Sequence, residues 1–259
     1  MLKICLGLFG MIRKKINHDD FIKFVKLLPR ESSIDIFITC CNKYSEFESN
    51  DIDIDSFIKE INQIFKGYYT NINVYKYEPE IYINRTQQLN YKQFGERTNM
   101  HPYRIMSLHD CISKLSKNIT DYAKNTNTIY DNIILTRIDM INGISSFGNI
   151  LNQTNENNIY LYRDPCVYGP GMGEDRVIIS CNKGIKILQN LYKSHETLNI
   201  DEHDFSSEKI ITIYLKQFET EIKLQIQTGV IMNFSPFKNV KYEPYFIEFQ
   251  NKLIQKCLT

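Results

Sequence analysis

Residues 130–140 read YDNIILTRIDM. Ile133, Ile134 and Leu135 form an unbroken apolar run, the mark of a strand buried on both faces within a parallel sheet. The run turns polar at its carboxyl end, with Thr136, Arg137 and Asp139. Strand side chains alternate between faces, so Ile133 and Leu135 share a face with Arg137 and Asp139. The pattern predicts a core strand over 130–140 that ends in a charged pair at the sheet edge.

The segments around it fit that reading. Upstream, Ile105, Leu108, Ile112, Leu115, Ile119 and Tyr122 recur at alternating spacings of 3 and 4. This predicts a long amphipathic helix that starts near Pro102 and packs on the core. Lys3 to Gly10 (KICLGLFG), Ile34 to Cys41 (IDIFITCC) and Ile72 to Tyr77 read as strands, the last stopped before Pro79. Asp19 to Leu28 and Ile54 to Phe65 carry helical periodicity. Residues 80–101 lack it and read as a long loop with one helical turn. In the second half, Asn158 to Arg163, Arg176 to Cys181 and Leu224 to Met232 are expected strands. Gly184 to Tyr192, Ser207 to Phe218 and Phe246 to Leu258 are expected helices. Strands alternate with helices over the first 140 residues, which argues for a parallel α/β sheet. Strands crowd together afterwards, so a mixed sheet is expected. No repeat or linker divides the chain, and residues 1–259 are expected to form a single domain.

Composition narrows the classes. A net charge of +1 over 259 residues removes the electrostatic case for nucleic-acid binding. With 42% hydrophobic and 12% aromatic residues the chain is far from a disordered composition. It contains one alanine, Ala123, and no tryptophan, while Ile, Asn, Lys and Tyr abound. Codons rich in A and T explain this bias, so the four N-x-S/T sequons at Asn84, Asn118, Asn152 and Asn233 carry no signal. Seven cysteines without a CxxC pair favour a reducing compartment over a zinc site or disulfide framework. The apolar run Ile4 to Ile12 is too short to span a bilayer. The expected compartment is the cytoplasm, that of the host where the source is viral, with no integral membrane segment.

Ligands of open α/β sheets bind at the carboxyl ends of strands. Arg137 offers a planar fork suited to phosphate. Asp139 offers oxygens suited to Mg²⁺ or Mn²⁺. The two can instead form a plain salt bridge. Phe9, Gly10 and Arg13 follow the first strand, where glycine permits close backbone approach and arginine reaches phosphate or base. Glu174 and Asp175 open a strand after a glycine-rich stretch, Gly169 to Gly173, and a carboxylate there can serve as a general base. An ordinary connecting loop is the alternative. No HExxH, GxSxG, P-loop or GxGxxG motif is present.

In chain order stand GLFGMIR (7–13), DIFIT (35–39), YDNIILTRIDM (130–140), EDRVIIS (174–180) and SSEKIITIYL (206–215). This series, spanning most of residues 1–232, resembles the small glycosyltransferases of the GT-A fold found in polysaccharide loci and large DNA viruses. The resemblance implies a Rossmann-like, mixed but mainly parallel sheet with helices on both faces. Residues 1–140 would be its nucleotide-binding half and 141–259 its acceptor-side half. It implies metal-assisted transfer of a hexosyl or pentosyl group from a UDP-, GDP- or dTDP-sugar to a hydroxyl of a glycan acceptor. Asp139 would ligate the Mn²⁺ or Mg²⁺ that bridges the donor phosphates. Phe9, Gly10, Arg13, Arg104 and Arg137 would line the donor. Asp175 would be the catalytic base, with Glu174 and Glu208 on the acceptor side. Arg137 stands where GT-A enzymes have the first Asp of DxD, which places part of the cation's charge on the protein itself. Two alternatives are a non-catalytic scaffold of the same fold and a sugar nucleotidyltransferase. The latter would want a glycine-rich basic stretch after the first strand, of which GLFGMIRKK is a poor version.

Overall fold

The computed structural model describes residues 1–11, 18–43, 52–91, 102–141, 143–152, 156–162, 174–200, 206–227 and 231–232. Arg13, the glycine-rich stretch 163–173 and the expected helix over 246–258 lie outside them.

The strands of the first half are β1 (Lys3–Gly10), β2 (Ser33–Cys41), β3 (Tyr69–Tyr75) and β4 (Asn132–Arg137). Their helices are α1 (His18–Val25), α2 (Ile54–Ile64), α3 (Pro79–Gln88) and the 25-residue α4 (Pro102–Thr126). There follow β5 (Ile144–Ser146), β6 (Asn158–Tyr162), β7 (Glu174–Ser180), α5 (Asn182–Leu188), α6 (Leu191–Ser194), α7 (Ser207–Lys216), β8 (Lys223–Gln227) and β9 (Ile231–Met232). Seven strands form one sheet in the order β3-β2-β1-β4-β7-β6-β8. Every neighbouring pair is parallel except the two that involve β7. The expected mixed, mainly parallel sheet is therefore present.

Alternation sorts the apolar residues into two cores. Ile4, Leu6 and Leu8 of β1, with Ile36 and Ile38 of β2, face Phe21 and Phe24 of α1 and Phe57 and Ile61 of α2. Cys5 and Phe9, with Phe37 of β2 and Ile133 and Leu135 of β4, face the other side under α3 to α7. Helices thus cover both faces.

Helix α4 lies closest to the sheet, over β1. A Cβ on Gly7 would stand 2.6 Å from Leu135 Cδ2 and 3.0 Å from Leu115 Cδ2. A side chain here must displace leucine methyl groups of α4 and β4 that fill this space.

Several boundaries differ from the sequence expectation. Residues 79–88 form α3 rather than a loop: Pro79 starts a helix, a position where its missing N–H costs nothing. β3 begins at Tyr69 and ends at Tyr75, ahead of the expected 72–77. The last expected strand is two: β8 joins the large sheet, and β9 pairs with β5 in a separate two-stranded one. The expected helix over 184–192 divides into α5 and α6. β4 stops at Arg137, and Ile138–Met140 form a 3₁₀ turn.

A buried polar chain joins α4 to α7. His109 Nδ1 lies 2.8 Å from His195 Nε2, and His109 Nε2 lies 3.0 Å from Ser207 Oγ. His109 is fully buried and His195 is 2% exposed. His195 Nδ1 has no hydrogen-bond partner among the described residues. A buried orphan N–H costs more than a buried orphan lone pair. The proton of His195 is therefore assigned to Nε2, donating to His109 Nδ1, and His109 Nε2–H donates to Ser207 Oγ. Burial, then the Arg85 guanidinium of α3, pulls the His195 pKa down to about 4. Burial, then His195, pulls His109 well below the ordinary imidazole value.

Two predictions follow from this packing. Gly7→Val gains β propensity yet is expected to destabilise the fold by about 1–3 kcal/mol through overpacking. A urea midpoint at or above wild type would show that α4 yields freely at that point. For His195, the unfolded chain takes up the proton more readily than the folded one. Its contribution is then full above about pH 6.5 and lost as pH falls toward about 4, on the order of 3 kcal/mol. His195→Gln is expected to flatten the fall in urea midpoint across that window. An unchanged slope would mean that His195 is not the group that titrates.

Candidate functional site

Six parallel strands and one antiparallel strand give the sheet a mixed edge. The carboxyl ends of β1, β2, β3, β4, β6 and β8 lie along it, together with the amino end of β7. From β1 the chain builds outward through β2 to β3. It then returns along α4 to lay β4 on the other side of β1. Such a reversal is where open sheets place ligands, at the carboxyl ends of the two inner strands.

At the end of β1, Gly10 has a φ of +104°, a conformation that favours glycine. Its N–H donates to Cys111 Sγ at 3.3 Å, and the thiol donates to the Thr39 carbonyl at 3.1 Å. Burial pushes the Cys111 thiol up to about 12, so it keeps the proton that this bond needs. One α4 side chain thus ties together the ends of β1 and β2. Phe9 is fully buried, with its ring in the core below this turn. Arg104 sits in the first turn of α4, seven residues before Cys111 and so about 10 Å farther out along the helix axis. It is partly buried.

The charged pair of β4 forms, with one correction. Asp139 does not continue the strand; it lies in the 3₁₀ turn after it. The turn curls Asp139 back along the side of Arg137. Arg137 Nε donates to Asp139 Oδ1 at 3.1 Å and Nη2 to Oδ2 at 2.7 Å. The side chains are 21% and 11% exposed. This is a bidentate, partly desolvated ion pair next to β1, where Phe9 pairs with Arg137 in register.

β7 enters from the other side of β4. Glu174 and Asp175 open this strand, so its antiparallel direction brings them to the edge where its neighbours end. The Thr136 hydroxyl donates to the Arg176 carbonyl at 2.9 Å, which fixes the β7 entry beside Arg137. α7 starts at the same edge, because it runs down to the amino end of β8. Ser206 caps it by accepting from Lys209 N–H at 3.2 Å. Glu208, two residues after this cap, occupies the first helical turn and is 8% exposed. The Ser207–His109 bond holds this helix start against α4.

Topology therefore gathers Gly10, Arg104, Arg137, Asp139, Glu208 and the backbone of Glu174 and Asp175 at one sheet edge. Among the described residues, no group of three or more His, Cys, Asp or Glu converges as a metal site. Asp139 is the expected ligand, and both of its oxygens accept from Arg137, so the guanidinium lies against the face of the carboxylate that a cation would share. A separate surface depression of about 420 Å³ lies at the opposite edge, lined by Asn157 and Glu219 to Leu224. It brings together no buried polar group. No described helix is long and apolar enough to cross a membrane. Sequence reading missed Cys111 as the clasp of the glycine turn. It stands on the buried stripe of the helix one residue before Ile112, and only its polarity marked it.

No family model matches the chain, and no curated protein matches it. Among solved structures it is similar to the apo form of the glycosyltransferase GlyE of Streptococcus pneumoniae TIGR4. The identity is 13% over 99% of this chain and 51% of that one, with a TM-score of 0.39. The chain thus spans about half the length of GlyE. It is also similar to mouse xyloside xylosyltransferase 1, at 9% identity over 88% of this chain and 85% of that one, with a TM-score of 0.42. A glycosyltransferase involved in glycosylation of the major capsid of PBCV-1 shares 10% identity over 88% and 82% of the two chains, with a TM-score of 0.34. These three solved structures are glycosyltransferases, and the likeness is one of chain outline.

Proposed function

We propose that this chain is a glycosyltransferase that moves a sugar from a nucleoside-diphosphate sugar to a hydroxyl of a glycan acceptor. The observation that carries the reading is the Arg137–Asp139 pair at the carboxyl end of β4, beside the glycine turn of β1. The resemblance puts the donor diphosphate beside these same two residues. In the reaction the acceptor oxygen bonds to the anomeric carbon while the bond from that carbon to the diphosphate oxygen breaks. The bonding electrons leave with the diphosphate, and negative charge grows there in the transition state. A cation held at that point lowers the barrier by electrostatic stabilisation. Arg137 is the described cation there, aimed by Asp139. Gly10 and Arg104 contact the donor, and Arg13 belongs to the same group by sequence. The acceptor proton passes to Asp175, and Glu174 and Glu208 face the acceptor. The second reading, a non-catalytic scaffold, is favoured by the completeness of the ion pair, which suits a purely structural bridge.

A thermal melt with UDP, GDP, dTDP and CMP separates the two. One nucleotide is expected to raise the melting temperature, since ligand at ~100 times its Kd adds about 2.7 kcal/mol. The absence of any shift, with or without Mn²⁺, would count for the scaffold. In a screen of nucleotide sugars, Asp139→Asn is expected to lower turnover by roughly tenfold or more, equivalent to at least ~1.4 kcal/mol of barrier. Full activity in that variant would remove Asp139 from the site.

A further inference from the structure

The sequence resemblance leads one to expect a divalent cation at Asp139. The geometry points to a different cation. We infer that the Arg137 guanidinium takes the place of the metal, so that the site engages a nucleoside diphosphate without a divalent ion. The inference rests on the transferase reading above for its ligand, and on this chain's own side chains for the rest.

Three observations carry it. First, the pairing is side-on and complete: Nε meets Oδ1 and Nη2 meets Oδ2, at 3.1 and 2.7 Å. Mg²⁺ and Mn²⁺ need a carboxylate lone pair at close to 2 Å, in near-octahedral oxygen surroundings. An ion reaching Asp139 would have to displace the guanidinium or sit against its positive charge. Second, the pair is local and pre-formed. The 3₁₀ turn at Ile138–Met140 places the two residues so that neither side chain crosses a loop to meet the other. Arg137 is anchored by strand pairing to Phe9 of β1. Third, no group of three or more His, Cys, Asp or Glu gathers around an ion among the described residues. In a GT-A enzyme with an Asp in the first position of the motif, two carboxylates can share one ion. Here arginine stands in that position, so the charge that a metal would bring is built into the strand.

The test uses the full chain and reads melting temperature and the Mn²⁺ paramagnetic signal, apart from any turnover. Wild-type protein is titrated with Mn²⁺ alone, then with UDP, GDP and dTDP in EDTA and in Mn²⁺. The expected result is no Mn²⁺ binding by the protein alone, and the same nucleotide shift in both buffers. Arg137→Gln frees Asp139 and is expected to gain Mn²⁺ binding or a Mn²⁺-dependent nucleotide shift. Asp139→Asn is expected to show neither. A wild-type nucleotide shift that appears only with Mn²⁺ would overturn the inference. So would one bound Mn²⁺ per wild-type chain that Asp139→Asn removes. If no nucleotide shifts the melt in either buffer, the transferase reading fails. The Mn²⁺-alone arm still decides whether Asp139 takes a metal. Should Arg137→Gln fail to fold, the wild-type and Asp139→Asn arms decide the matter unaided.

Discussion

The close seating of α4 on β1 is the constraint on which the rest of the structure depends. Gly7 leaves the space, and Leu115 and Leu135 fill it. Only with the helix at that depth can Cys111 reach both the Gly10 N–H and the Thr39 carbonyl. The same helix spans the sheet from one edge to the other: the Lys3 ammonium bonds the Thr128 hydroxyl just past its end. It therefore sets where β4 begins, and so where Arg137 comes to rest. A side chain at Gly7 would press on the leucines that join this helix to β4.

Polar groups at the two sheet edges do different work. At the amino edge, the Tyr130 hydroxyl donates to buried Asp35 at 2.8 Å, and Lys3 lies 3.5 Å from the same carboxylate. Burial and the adjacent carboxylate keep the Tyr130 phenol protonated. These groups satisfy one another within the fold. At the carboxyl edge the arrangement is asymmetric. A guanidinium meets a carboxylate on a turn, a glycine presents bare backbone, and one antiparallel strand delivers its first residues among the ends of its neighbours.

Much of this was legible in the residues. The near-continuous apolar runs of β1, β2 and β4 marked the core strands, because each is buried on both faces. The 3–4 stripe marked α4, although Met106, His109 and Cys111 are buried beside it. The helix touches the sheet on one side and α3, α5 and α6 on others, so burial extends well beyond a single stripe. What failed was reading Pro79 only as a strand stop, when the same ring is suited to the first turn of a helix. The sequence offered Asp139 as a metal ligand or as Arg137's salt-bridge partner on one strand; the structure pairs it with Arg137 and sets it on the turn beyond the strand. The i,i+2 spacing satisfies both geometries, and only the backbone distinguishes them. The His109–His195–Ser207 chain could not have been found. Its members are 86 and 98 residues apart in sequence, and nothing local couples them.

The described cysteines, Cys5, Cys40, Cys41, Cys111 and Cys181, are all reduced and buried. Cys111 alone among them bridges a helix to the strand ends beneath it. A thiol in that position reacts with a soluble reagent only when helix and sheet part. The rate at which Cys111 is captured would therefore report how often the seam between α4 and the ends of β1 and β2 is open.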